Sequence, residues 1–74
     1  MKLIVSNFIT LTEKQEDKLT PRQARIYYAV LERGAQSVED IFEESPMSHK
    51  SVANVEKAIL SIEKKLKISL KEEN

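Results

Sequence analysis

Apolar side chains recur every three or four positions over much of the chain, which predicts a mainly helical fold. In the first clear helix, Thr20 can cap the free amides and Pro21 suits the first helical position. Gly34 supplies the C-terminal stop. Of the adjacent pair Tyr27 and Tyr28, at most one can face the core. The apolar stripe of this helix consists of Ala24, Ile26, Tyr27, Val30 and Leu31.

A second, shorter helix is predicted to open at Ser37, with Asp40 three residues later in an arrangement similar to a capping box. It should end near Ser45, because proline at position 46 restricts the residue that precedes it. Val38, Ile41 and Phe42 form its inward face.

The strongest periodic pattern belongs to a third and longer helix, which is expected to begin with Ser48 as its cap. Met47, just before it, is expected to fill the core between the second and third helices. The apolar positions of this helix form a narrow seam that suits either the core of the chain or a dimer interface. The seam consists of Val52, Val55, Ile59, Ile62 and Leu66.

The N-terminal segment, residues 1–18, follows a different pattern. Residues 2–11 are rich in strand-favouring side chains, and residues 13–18 suit a linker or a short helical turn. A lone strand is unstable, so it must pair with a partner's copy, pack on the helices or stay loose. The resulting prediction is an all-α, three-helix helix-turn-helix domain over residues 19–70, with a short N-terminal extended segment and a frayed tail over 71–74.

Length and composition narrow the class of protein. A chain of 74 residues supports one domain with a thin core, which favours dimerisation as a source of buried area. It has no cysteine, so disulfides and thiolate metal sites are excluded. The apolar start is too short and too interrupted to cross a membrane, and it lacks the features of a signal peptide. We therefore expect a cytoplasmic protein.

Charge is balanced overall but uneven along the chain. Twelve basic and twelve acidic side chains cancel, which argues against nucleic-acid binding by bulk charge alone. Residues 21–47 carry three arginines against five acids, whereas residues 48–74 carry six lysines against four glutamates. Any positive surface should therefore lie in the C-terminal third.

The sequence offers little for catalysis. His49 is the single histidine, and the acidic pair Glu43 and Glu44 has no histidine or metal constellation beside it. A solvated helix face explains these acids better than an active site does. We expect no enzyme activity, no cofactor and no metal.

The second helix, a tight connection and the third helix together make a helix-turn-helix, whose last helix enters the DNA major groove at its N-terminal half. Because Val52 and Val55 face inward, the polar residues between and around them should point outward. Asn54 could pair with adenine, and Lys50 and His49 with guanine or phosphate. The outward set is His49, Lys50, Ser51, Ala53, Asn54 and Lys57.

Three stretches carry a resemblance to a known family: Leu-Thr-Pro-Arg-Gln at 19–23, Ser-Val-Glu-Asp-Ile at 37–41, and Met-Ser-His-Lys-Ser-Val-Ala-Asn-Val at 47–55. In order and spacing they resemble the helix-turn-helix domains of the LuxR/GerE type and of sigma-factor region four. The resemblance covers roughly residues 19–66, and it implies that positions 49, 50, 53, 54 and 57 touch bases or backbone, with Arg22 and Ser51 near phosphate.

The chain also departs from that pattern. Ser45 and Pro46 stand between the helices in place of an apolar and a small residue, and Ala53 stands where a basic residue is frequent. Glu56 and Glu63 add negative charge to the helix that would meet DNA.

Three functions remain open at this point. The leading one is a small, sequence-specific, DNA-binding transcription regulator of bacterial or phage type, whose expected partners are double-stranded DNA and a second copy of the chain. The second is a protein-interaction module, for example a phage or mobile-element protein that binds RNA polymerase, a sigma factor or another regulator. The third is a fragment of a phage small terminase, which the opening Leu-Thr-Pro-Arg-Gln also resembles.

Overall fold

The computed structural model describes residues 4–72 of the chain, so positions 1–3 of the extended segment and 73–74 of the predicted tail lie outside it. The fold is predominantly helical with a short N-terminal strand, as predicted. In chain order the elements are β1 (Ile4–Val5), α1 (Glu13–Asp17), α2 (Pro21–Arg33), β2 (Gln36–Ser37), α3 (Val38–Glu44), α4 (Pro46–His49), α5 (Val52–Leu66) and β3 (Lys71–Glu72).

The starts of the first three helices follow their capping signals. The Thr20 hydroxyl accepts a hydrogen bond from the Gln23 backbone amide, and the Gln23 Oε1 accepts one from the Thr20 backbone amide, which completes a capping box. Ser37 caps α3 as predicted. Thr12 forms a second capping box with Gln15, so residues 13–17 are a true helical turn and not a linker.

The predicted third helix divides into α4 and α5, and this corrects the expected cap. Ser48 lies inside α4, which begins at Pro46, because proline readily occupies a first helical position. The chain then turns at Lys50, whose φ is 69°. Ser51 is the actual cap of α5, since its Oγ accepts from the Asn54 amide at 3.2 Å. Met47 does not fill the core; it lies on the outside of α4 and is 92% exposed.

The N-terminal segment finds its partners within the chain. β1 is the central strand of a small antiparallel sheet with the order β2-β1-β3, in which Ile4 is opposite both Ser37 and Glu72. The Ser6 amide extends the pairing by donating to the Leu70 carbonyl at 2.6 Å. Positions 71 and 72, expected in a frayed tail, instead form β3, because pairing with β1 satisfies their backbone.

The apolar seam of α5 belongs to the core of this chain. Val55, Ile59, Ile62 and Leu66 are buried, and Val52 is partly buried against them. The seam is therefore core and is not left free as a dimer interface. Tyr27 is the tyrosine that faces inward. The other buried apolar residues are Val5, Leu19, Ile26, Val30, Val38, Ile41, Ala58 and Leu70.

Helix length bears on membrane association. Within residues 4–72 the longest helix, α5, has 15 residues, and no helix is both long and apolar enough to span a bilayer.

Candidate nucleic-acid interface

The first turn of α2 is fixed beside α5 by a buried glutamine. The Gln23 side chain donates to the Ser61 Oγ at 3.1 Å and accepts from the Lys65 Nζ at 2.8 Å. This link, together with the apolar packing between the two helices, sets the direction in which α2 begins. Arg22 and Arg25, both exposed, flank Gln23 on that turn.

His49, at the end of α4, marks where those arginines lie relative to α5. Burial lowers the pKa of His49, and the positive charges of Arg22 and then Arg25 lower it further. The arginines of α2 therefore lie near enough to the turn that leads into α5 for their charge to act on His49.

His49 itself does not point outward, contrary to the prediction. The residue is only 4% exposed, and its Nδ1 is buried without a hydrogen-bond partner among the described residues. The reversal at Lys50, directly after it, separates the directions of α4 and α5. The predicted contact of His49 with guanine or phosphate is therefore wrong for this conformation, since the ring is covered by the protein.

Asn54 is half-buried and already engaged within the turn. Its Nδ2 donates to the His49 carbonyl at 3.0 Å, and its backbone amide donates to Ser51. The predicted pairing of this amide with adenine would compete with the bond that holds α4 to α5. Ser51 is likewise half-buried, and its hydroxyl is already used as the cap of α5.

The remaining predicted contacts are accessible. Lys50, Ala53 and Lys57 are exposed at the turn and along the first two turns of α5, and Arg22 is exposed on α2. Ala53 adds little bulk to this surface, so another molecule can approach the helix backbone closely there.

The charges around the start of α5 are mostly positive, although the whole chain is neutral. Glu56 is exposed among them, whereas Glu63 forms hydrogen bonds with the segment that follows α5. Its Oε2 accepts from the Leu70 amide at 2.9 Å, and its carbonyl accepts from the Ile68 amide. One of the two acids expected to oppose DNA thus holds the chain that follows α5. We call the exposed residues Arg22, Arg25, Lys50, Ala53 and Lys57 the cationic face.

Two features of this region were not predicted from the sequence. Arg25 lies three residues after Arg22, a spacing that places both on one side of a helix, and that signal was present in the sequence. Met47 and Leu60 are large apolar side chains that remain 92% and 50% exposed. Met47 is exposed because α4 is separate from α5, which periodicity alone did not indicate, whereas Leu60 lies outside the apolar seam of α5.

Other kinds of chemistry receive little support from the geometry. Among residues 4–72, no group of three histidine, cysteine or acidic side chains is placed to hold a metal ion.

Comparison with protein-family models, with curated proteins and with solved structures finds no match to this chain.

Proposed function

We propose that this protein is a small, sequence-specific, DNA-binding transcription regulator that reads the major groove with α5. The observation that carries the proposal is that Arg22, Arg25, Lys50 and Lys57 are all exposed, and that the charges of both arginines act on His49, the residue before Lys50. Exposed cations from two elements near a helix start suit the phosphates that flank a groove.

The dimensions and side chains of α5 agree with this use. Its 15 residues span about 22 Å, and a helix fits the width of the major groove. Ala53 can contact a thymine methyl group, and Lys57, one turn later, can reach guanine or phosphate. Arg22, Arg25 and Lys50 would then hold the helix in register through phosphate contacts.

The direct test is a binding titration with a short duplex of random sequence, followed by fluorescence anisotropy at several salt concentrations. If the four cations of the cationic face each meet a phosphate, the logarithm of affinity should fall with the logarithm of salt concentration with a slope of about −3 to −4. Selection from a randomised duplex pool should then enrich one sequence.

Matched variants locate the surface. Lys50→Gln and Lys57→Gln should each reduce the salt slope by about 1. Lys14→Gln removes another exposed lysine, from α1 and outside the cationic face, and should leave the slope unchanged. Failure to bind any duplex at about 50 mM salt would refute the proposal. Equal losses in all three variants would show that binding is not localised here.

A second candidate is a protein-interaction module, favoured by the exposure of Met47 and Leu60. Exposed apolar side chains of this size are a common feature of protein contacts. RNA polymerase and sigma factors are the partners to test, by calorimetry with the purified proteins. If Met47→Ser and Leu60→Ser abolish such a complex while the wild type binds no duplex, this second function replaces the first.

A further inference from the structure

The solvent side of α5 carries a regular stripe of side chains along most of the helix. Ala53, Lys57, Leu60 and Lys64 are all exposed, and each follows the one before it after three or four residues. At 3.6 residues per turn these positions fall within a sector of about 60°. The buried seam of α5 occupies the opposite side of the helix. We call these four residues the outer stripe.

The charge of the outer stripe is positive. Lys57 and Lys64 belong to it, whereas the two glutamates of α5 do not. Glu56 is exposed at the edge of the stripe, and Glu63 is half-buried, with its carboxylate accepting a hydrogen bond from the segment that follows the helix. An anionic partner is therefore the one that this side of α5 attracts.

Leu60 adds an apolar group to this cationic surface. It is 50% exposed and lies between the two lysines, three residues after Lys57 and four before Lys64. A single exposed leucine is ordinary on a protein surface, but a leucine flanked by lysines suits a partner that is anionic at its edges and apolar between them. The major groove has this arrangement, with phosphates along both rims and thymine methyl groups on its floor.

The length of the outer stripe also suits a duplex. From Ala53 to Lys64 the helix rises about 16 Å, which equals about five base pairs. The small side chain of Ala53 allows the helix backbone to approach the bases closely at one end. The stripe can therefore follow the groove over several base pairs, beyond the reach of the first two turns of α5 alone.

We infer that α5 lies along the major groove with its outer stripe toward the bases, and that Leu60 determines specificity by packing against the C5 methyl group of a thymine. This inference rests on the proposed function and names the group that the site reads. Ala53 and Leu60 face the floor of the groove, and Lys64 reaches a phosphate that the N-terminal half of the helix does not meet.

The test removes single methyl groups from the DNA. Deoxyuridine lacks only the C5 methyl group of thymine, and it replaces each thymine in turn in the duplex that is enriched from a randomised pool. Affinities are measured by fluorescence anisotropy. At the thymine that Leu60 contacts, the wild type should bind about three- to five-fold more weakly, because a buried group of this size contributes a factor of about four. For Leu60→Ala, the two duplexes should bind equally at that position.

Matched variants show whether the preference belongs to this side chain. Met47→Ala removes a more exposed apolar group, from α4 and outside the outer stripe, and should keep the preference for thymine. Leu60→Met retains an apolar side chain and should keep it too, which separates loss of the contact from a failure of Leu60→Ala to fold. Lys64→Gln should reduce the salt slope by about 1, whereas contact through the N-terminal half of α5 alone would leave the slope unchanged.

The outcomes distinguish this inference from the function on which it rests. Duplex binding with no thymine preference, or with a preference that Leu60→Ala retains, overturns the reading of thymine and leaves DNA binding intact. An unchanged salt slope in Lys64→Gln overturns the placement of α5 along the groove. If Leu60→Ala instead abolishes a complex with RNA polymerase or a sigma factor, the side chain belongs to a protein contact. Absence of duplex binding at about 50 mM salt overturns the proposed function together with this inference.

Discussion

Tyr27 joins the N-terminal segment to α2, and its hydroxyl can be removed without disturbing the packing of its ring. The hydroxyl donates to the Ile9 carbonyl at 2.7 Å and accepts from the Ile9 amide at 2.9 Å. Tyr27→Phe deletes both bonds but keeps the ring, which lies 4.5 Å from the Phe8 ring centroid. No cavity is created, so the cost should come from the two hydrogen bonds alone.

The expected magnitude follows from the surroundings of Ile9. Each bond contributes about 0.5–1.5 kcal/mol when both partners are buried. The Ile9 residue is 48% exposed, so its freed backbone groups can partly recover water. We therefore expect a loss of about 1–2 kcal/mol in the free energy of unfolding, with a fall of about 4–8 °C in Tm for each kcal/mol in a domain of this size.

Urea denaturation and thermal melting followed by circular dichroism would measure this loss, and amide exchange at Ile9 would localise it. Tyr28→Phe is the matched control, because it removes a hydroxyl from the adjacent and more accessible ring. The hydrogen bond between Tyr28 and Glu16 raises the pKa of Tyr28. That variant should change stability little. A Tyr27→Phe protein as stable as the wild type, with unchanged protection at Ile9, would refute the proposed attachment.

Three further predictions concern single positions. Gly34→Ala should lower the free energy of unfolding, measured by chemical denaturation, by about 1–3 kcal/mol, because φ 85° and ψ −164° suit glycine almost alone. No atom lies within 4 Å of an added Cβ, so a larger loss would show that backbone strain is not the cause. Lys50→Gly should stabilise the fold by about 0.5–1 kcal/mol by relieving a positive φ, yet weaken duplex binding; equal stability of both proteins would show that the turn is unstrained. Since the folded protein lowers the pKa of His49 from 6.5, protonation favours the unfolded chain, and the free energy of unfolding should fall as the pH drops below about 6.5; a His49→Gln protein with the same pH profile would contradict this.

The local signals of the sequence predicted the parts of the fold that depend on neighbouring residues. Thr20 and Pro21 set the start of α2, and Ser37 sets that of α3, because capping and proline geometry act over three or four residues. The α5 seam was also predictable, since its spacing is the same whether Ser48 or Ser51 caps the helix. These features required no knowledge of distant parts of the chain.

The unpredicted features depend on contacts between distant residues. β1 pairs with β3, at the opposite end of the chain, and no local pattern indicates that partner. Ser48 and Ser51 are both acceptable caps, so the choice between them depends on tertiary packing. That choice turns His49 inward and leaves Lys50 outside, and it therefore decides which predicted contacts reach the surface.

The turn between α4 and α5 combines an unfavourable backbone conformation with a buried polar atom that has no hydrogen-bond partner among the described residues. Among residues 4–72, three residues other than glycine have a positive φ, but Asn7 is of a type that tolerates it, and Lys67 adopts the common left-handed end of a helix. Lys50 combines φ 69° with ψ −35°, outside that left-handed region, and it directly follows a buried histidine whose Nδ1 has no partner among the described residues. A strained backbone and an unsatisfied ring in adjacent residues persist only where surrounding contacts hold them, and such departures cluster at functional sites. Lys50 is itself part of the cationic face, and His49 directly precedes it. The stability lost at this turn is therefore what we would expect if its conformation were selected for binding DNA and not for the fold alone.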